Sequence, residues 1–266
     1  MQRSCYPLLV LFTTLVLVSC SSSESVSEDL LEEIDNENYF PLEISNNWNY
    51  EVDGETSGND SLWVSKDTLI AGEIHYKIQA NSPKYGFLTN VLSDGLLHKT
   101  KNKLILNGSF TDLFPGITIP LEDLVLLDVQ NPVGNDMYKS TGNTTYTIGK
   151  YTIEANYDIT SKTENIFKEF SFFNLEYNNV IKTSITVNME ATVSTTIEGF
   201  PITVPILVPQ DVIISTQYFA PGVGIINNEA SIEYELSNLD EVDLPLDIPK
   251  RKSEVITQRI TTYSHK

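Results

Sequence analysis

Ile181–Ile197, IKTSITVNMEATVSTTI, carries the cleanest period-two alternation in this 266-residue chain. Polar and apolar side chains exchange at nearly every step. That is the pattern of a half-buried strand whose successive residues face opposite sides of a sheet. The run is long for one strand, so a bend or break near Met189–Ala191 is expected. Downstream, Ile202–Val208, Asp211–Ala220, Ile225–Leu236 and Glu254–Tyr263 read as further strands, and upstream so do Thr144–Gly149 and Tyr151–Thr160. Nearer the N-terminus the pattern predicts three hairpins. They pair Trp48–Asp53 with Ser61–Lys66, Thr68–Ile70 with Glu73–Ala80 through Ala71-Gly72, and Gly86–Leu92 with Leu96–Thr100 through Ser93-Asp94-Gly95. Lys101-Asn102 then turns the chain into Lys103–Asn107. Val, Ile, Thr and Tyr dominate these runs, as a pleated surface prefers.

Two stretches break the period. Leu121–Val129 places Leu121, Leu124 and Val125 at helical spacing behind Pro120, which suits a first helical turn. Asn165–Tyr177 places Ile166, Phe170, Phe173 and Tyr177 near a helical stripe, but it reads equally as a strand with its phenylalanines split between faces. No internal repeat and no linker interrupts 39–266, so these residues are expected to form one mainly β domain. About 225 residues bury close to three-quarters of their unfolded surface, enough for a core without disulfides.

The N-terminus reads as an address. Arg3 precedes an apolar run from Tyr6 to Val18 that is too short for a permanent membrane span. The run closes on Leu17-Val18-Ser19-Cys20, which resembles the lipobox of bacterial lipoproteins. The resemblance implies a signal peptide over 1–19, cleavage between Ser19 and Cys20, and lipid attachment on the Cys20 thiol. Several acyl chains at one residue give stable anchoring. Cys5 would leave with the signal, so the mature chain would hold no disulfide and no cysteine nucleophile. Residues 20–38 are rich in serine and carry Glu24, Glu28, Asp29, Glu32, Glu33, Asp35 and Glu37 with no basic residue. Such a stretch cannot bury enough apolar surface to fold and reads as an acidic flexible tether. Ser21, where inner-membrane lipoproteins often carry Asp, implies export to the outer membrane, on its periplasmic or cell-surface face.

The chain has 17 basic and 36 acidic residues, a formal net charge of −19. A surface this negative excludes nucleic acid as a partner. No G-x-S-x-G elbow, H-E-x-x-H pair or glycine-rich phosphate loop occurs, so no catalytic residue and no cofactor is assigned. His75 and His98 each sit in an alternating strand and read as sheet residues rather than ligands. Asp53, Glu55, Ser57 and Asn59 carry oxygens at alternate positions with Gly58 sixth, like the front of a calcium loop. Val64 stands where the bidentate Glu belongs, so a polar hairpin loop is expected there and no metal. Asp240, Glu241, Asp243 and Asp247 read as a solvated acidic excursion.

Two local motifs carry a further resemblance. Pro41-Leu42-Glu43-Ile44-Ser45-Asn46-Asn47-Trp48-Asn49-Tyr50 resembles the P-L-x-x-G-N-x-W-x-Y opening of many secreted bacterial lipoproteins, with Ser45 in place of the Gly. Tyr218-Phe219-Ala220-Pro221-Gly222-Val223-Gly224-Ile225 resembles their A-P-G-V-G turn. Together they are similar to a Bacteroidetes-like family of outer-membrane lipoproteins of unassigned function. Its architecture resembles the periplasmic lipoprotein-carrier folds. The resemblance implies one large curved antiparallel sheet or incomplete barrel with one or two short helices, a two-sheet β-sandwich being the alternative. Both motifs also have structural reasons: Trp48 and Tyr50 share one strand face, and Pro221-Gly222 suits a type II turn.

The expected function is a lipid-anchored, non-catalytic binding module for a hydrophobic ligand, with a structural or accessory lipoprotein of an envelope complex as the alternative. Its partners would be the membrane, through Cys20, and a hydrophobic small molecule or an envelope protein. Trp48, Phe170 and Phe173 are the ligand-contact candidates. A cavity lined by Phe167–Tyr177 would favour binding.

Overall fold

The computed structural model describes residues 37–114, 117–197, 200–237 and 249–265. Ser19, Cys20, the signal peptide, nearly all of the tether and the acidic excursion at Asp240–Asp247 lie outside the described residues. The strands are β1 (Asn47–Asp53), β2 (Gly58–Ile70), β3 (Glu73–Ala80), β4 (Leu96–Lys99), β5 (Lys103–Phe114) and β6 (Ile117–Asp128). They continue as β7 (Asp136–Ile148), β8 (Tyr151–Phe172), β9 (Leu175–Ile197), β10 (Phe200–Ala220), β11 (Gly224–Glu235) and β12 (Arg251–Ser264). One helix, α1 (Phe87–Asp94), joins β3 to β4. Among the described residues, all twelve strands form a single sheet in the order β6-β5-β4-β3-β2-β1-β12-β11-β10-β9-β8-β7. Each half is a meander, and β1 pairs with β12 to join them. The sheet curls until its edges meet, nearly closing a barrel. Side chains make the seam: Tyr138 Oη donates to the Glu122 carbonyl at 2.8 Å and Ser161 Oγ to the Val125 carbonyl at 2.6 Å. This is the incomplete barrel that the resemblance implies, and not a two-sheet sandwich.

The alternation in Ile181–Ile197 sets the inside of the barrel. Ile181, Thr183, Ile185, Val187, Met189, Ala191 and Val193 are all buried. β9 does not break at Met189–Ala191. The irregularity falls in its partner, where Leu207 pairs Ala191 and Gln210 pairs Met189, leaving Val208 and Pro209 as a bulge. Ile202–Val208 and Asp211–Ala220 are therefore one strand. β10 pairs with β11 only from Ile213 onward, so Pro201, Pro205 and Pro209 lie where no ladder is needed on the second side.

Two expectations are corrected, at Leu121–Val129 and Gly86–Leu92, and the open choice at Asn165–Tyr177 falls to the strand. Leu121–Val129 is not helical: Leu121 and Leu124 both pair into β5, and the residues between them form a bulge at Asp123, φ +53°. A bulge shifts side-chain parity, so it mimics the i, i+3 spacing of a helical turn. Asn165–Tyr177 is the hairpin end of β8 and β9, turned at Phe173 and Asn174 with φ +48° and +66°. Gly86–Leu92 is not a strand, because Phe87–Asp94 is α1. Phe87, Thr89 and Val91 satisfy period two, while Phe87, Leu88, Val91 and Leu92 satisfy a short helix, and so brief a run cannot separate them.

α1 has no side-chain cap, no acidic residue in its first turn and no basic residue in its last. Neighbouring strands serve both ends. The fully buried Asp60 carboxylate of β2 accepts from the backbone N–H of Tyr85 at 3.0 Å and of Gly86 at 2.8 Å. Lys77 of β3 donates to the Ser93 and Gly95 carbonyls at 2.6 and 3.1 Å. Burial pulls the Lys77 ammonium below its ordinary pKa, the nearby Asp94 charge opposing it.

Candidate functional site

Among the described residues, the barrel is plugged at one end and bears a cleft toward the other. At the plug, Trp48 is 1% exposed and donates from Nε1 to the Val223 carbonyl at 2.6 Å. Phe40 stacks on it with ring centroids 5.0 Å apart. Gly224, at φ +108°, lies so close that an added Cβ would meet Trp48 Nε1 at 3.1 Å. Tyr50 donates to the Ile225 carbonyl at 2.9 Å, and burial holds its phenol above the usual tyrosine range. Ser45 takes φ +80°, the left-handed backbone that Gly holds easily, so the turn survives the substitution. Trp48 thus bonds the chain's own backbone, and it lines none of the described clefts.

β11 runs from this plug, at Gly224, to Glu235 at the other end. There a cleft of about 350 Å³ opens between α1, β5, β11 and β12. Phe87, Val91, Phe110, Ile232 and Ile256 form its apolar part, with Phe87 and Phe110 stacked at 5.8 Å. Asn90, Ser109 and Thr111 add polar atoms. Lys84, in the connection before α1, pairs with Asp94 at 2.9 Å and Lys252 of β12 with Glu254 at 3.0 Å, so the rim presents both signs of charge. No His or Cys lines the cleft. Its shape and lining suit an amphipathic small molecule: apolar surface for the body, charged rim for the head.

Phe170 and Phe173 do not line this cleft. They belong to the β8–β9 hairpin end beside the plug, where Phe167, Phe170 and Tyr218 stack with Phe167–Phe170 and Phe170–Tyr218 centroids both 5.1 Å apart. Phe173 is 68% exposed and Arg259 lies over its ring at 5.3 Å. The Phe167–Tyr177 segment is therefore an external aromatic patch that lines no part of the α1 cleft; its Leu175–Tyr177 end walls an open surface groove with Pro221, Val223 and Tyr263. In the loop between β1 and β2, Ser57 Oγ donates to Asp53 Oδ1 at 3.1 Å, and Asn59 pairs with Glu51 in the β1–β2 ladder. Asp60 turns inward to α1. Period-two reading does not reach the cleft residues, because they come from four elements whose meeting depends on α1, which that reading hides.

No protein-family model matches the chain, and no curated protein matches it. A solved structure of a candidate lipoprotein from Parabacteroides distasonis is similar at 10% identity and a TM-score of 0.33, over 85% of this chain and 99% of that one. Among the described residues no helix is long and apolar enough to cross a membrane.

Proposed function

We propose that this chain is a lipid-anchored lipoprotein of the bacterial envelope, held at the outer membrane through Cys20, whose β domain binds a small amphipathic ligand in the α1 cleft and does no chemistry on it. The cleft lining carries the reading, with five apolar side chains beside two lysines and two carboxylates. The lipobox resemblance supports the anchor. The tether leads into the plugged end, since the Asn38 carbonyl accepts from the Gly222 N–H at 2.8 Å. The cleft then faces away from the anchored end and stays open to solutes.

Native mass spectrometry of the Cys20→Ser chain, purified from its own host, tests ligand binding. A retained small molecule is expected on this chain and not on a second chain that also carries Thr111→Trp, an exposed rim position where indole would occupy the cleft. The same molecule on both chains places the ligand elsewhere. Metabolic labelling with an alkynyl fatty acid tests the anchor, and label persisting after Cys20→Ser excludes it.

The exposed aromatic hairpin favours a second reading, an accessory lipoprotein that docks on another envelope component through Phe173 and Leu175, 68% and 55% exposed. A ligand-free native chain would move the assignment there.

A further inference from the structure

We propose that Glu73, His75 and His98 form a binding site for a divalent transition-metal ion of the zinc class. His75 and His98 are direct partners across the β3–β4 ladder. Glu73 stands two residues before His75, so all three side chains share one face of the sheet. One ligand atom from each lies within 4.8 Å of the others. Ligands on a tetrahedral zinc ion stand about 3.4 Å apart, given metal–ligand bonds near 2.1 Å. His98 Nε2 is already 3.2 Å from Glu73 Oε2, and the two imidazole centroids are 5.0 Å apart. Modest side-chain rotation therefore completes the set.

The hydrogen bonding points to a cation. His98 Nδ1 lies 3.1 Å from the Ile74 carbonyl oxygen. A carbonyl can only accept, so Nδ1 carries the proton. Nε2 then faces a carboxylate oxygen with its lone pair, which is repulsive unless a proton or a metal ion lies between them. A backbone carbonyl holding one ring nitrogen while the other faces a ligand position is how metal-binding histidines are oriented. A proton on His98 satisfies that contact alone. It leaves His75 Nδ1, which is buried and without a hydrogen-bond partner among the described residues. Coordination by His75 engages that ring as well. The His98 side chain is 10% exposed and that of Glu73 62%, so one ligand is held firmly while the other lies open to arriving ions. Two imidazoles and one carboxylate suit Zn²⁺, Co²⁺, Ni²⁺ or Cu²⁺ and not Ca²⁺ or Mg²⁺, which take oxygen ligands. The fourth position goes to water.

Calorimetric titration of the full chain with zinc sulfate tests the site, with Co²⁺ absorption as a report on geometry. One high-affinity ion per chain, visible d–d bands of tetrahedral intensity and a zinc-dependent rise in Tm are expected. His75→Gln and His98→Gln should each weaken zinc binding at least ~10-fold. Glu73→Gln changes an exposed position that the fold does not need and should weaken it as well. Far-UV circular dichroism identifies any histidine variant that fails to fold, in which case Glu73→Gln decides. Unchanged zinc affinity in the folded variants, or no saturable zinc binding by the native chain, overturns the site.

Discussion

At the plugged end Trp48 and Tyr50 close the barrel by bonding the Val223 and Ile225 carbonyls while Phe40 stacks on Trp48, whereas toward the other end Lys84, Asp94, Lys252 and Glu254 ring a cleft with an apolar floor. The first region uses aromatic surface and buried hydrogen bonds, so its residues act on stability. The second keeps its charges paired at the rim of a cleft, Lys84 with Asp94 and Lys252 with Glu254, and Glu254 is itself only 13% exposed. The aromatic residues Trp48, Phe170 and Phe173 therefore do not mark the cleft here. The most conspicuous of them, Trp48, closes the fold.

Mutational energetics can break this contrast. Trp48→Ala should cost about 3–5 kcal/mol in denaturant unfolding, as expected for a buried aromatic that also loses a hydrogen bond. A wild-type midpoint would mean that the end is not plugged. Asp60→Ala should cost about 2–3 kcal/mol, because a buried N–H at Gly86 and a partly buried one at Tyr85 lose a charged acceptor. Its thermal unfolding should fall without any change at the plug, which the near-ultraviolet signal of Trp48 reports in a Trp63→Phe background.

Alkaline pH sharpens the comparison. Burial raises the Tyr50 pKa, so the folded chain keeps a proton that the unfolded chain releases above about pH 10. Its contribution is complete below that pH and declines as pH rises further, by up to about 1.4 kcal/mol per unit. Urea midpoints from pH 9 to pH 11.5 should fall more gently in Tyr50→Phe; parallel curves would exclude Tyr50 as the source. Gly222 holds φ +70°, and a Cβ added there would meet nothing within 4 Å, so Gly222→Val should cost at least ~1 kcal/mol through backbone strain alone. At the cleft rim, Lys252→Ala should cost no more than about 1 kcal/mol, since the lysine side of its ion pair is 31% exposed although Glu254 is only 13% exposed. A larger loss would show that the rim supports the fold and would weaken the case for a ligand there.

The same contrast explains what is legible in advance. Trp48 and Gly222 can be read from the sequence because strand parity and turn geometry are local properties of a few neighbouring residues. α1 cannot, because its ends are completed by Asp60 and Lys77 from other strands, and its own residues carry no capping signal. The pairing of the proposed metal-site residues, each read singly as a sheet residue, escapes for a similar reason. His75 and His98 lie 23 positions apart in sequence and meet only through the β3–β4 register.

By itself, the sequence determined a chain written in period two, acidic, with a hydrophobic N-terminus ending at a lipobox-like Cys20. These properties depend on composition and on the alternation of neighbouring side chains, which need no partner to be expressed. Only the tertiary structure decided that twelve strands curl into one nearly closed sheet, that Leu121–Val129 is a bulged edge strand, and that α1 lies beside a cleft walled by β5, β11 and β12. Those outcomes depend on which distant backbone groups pair and which surfaces remain after pairing. Residues far apart in sequence make that choice together.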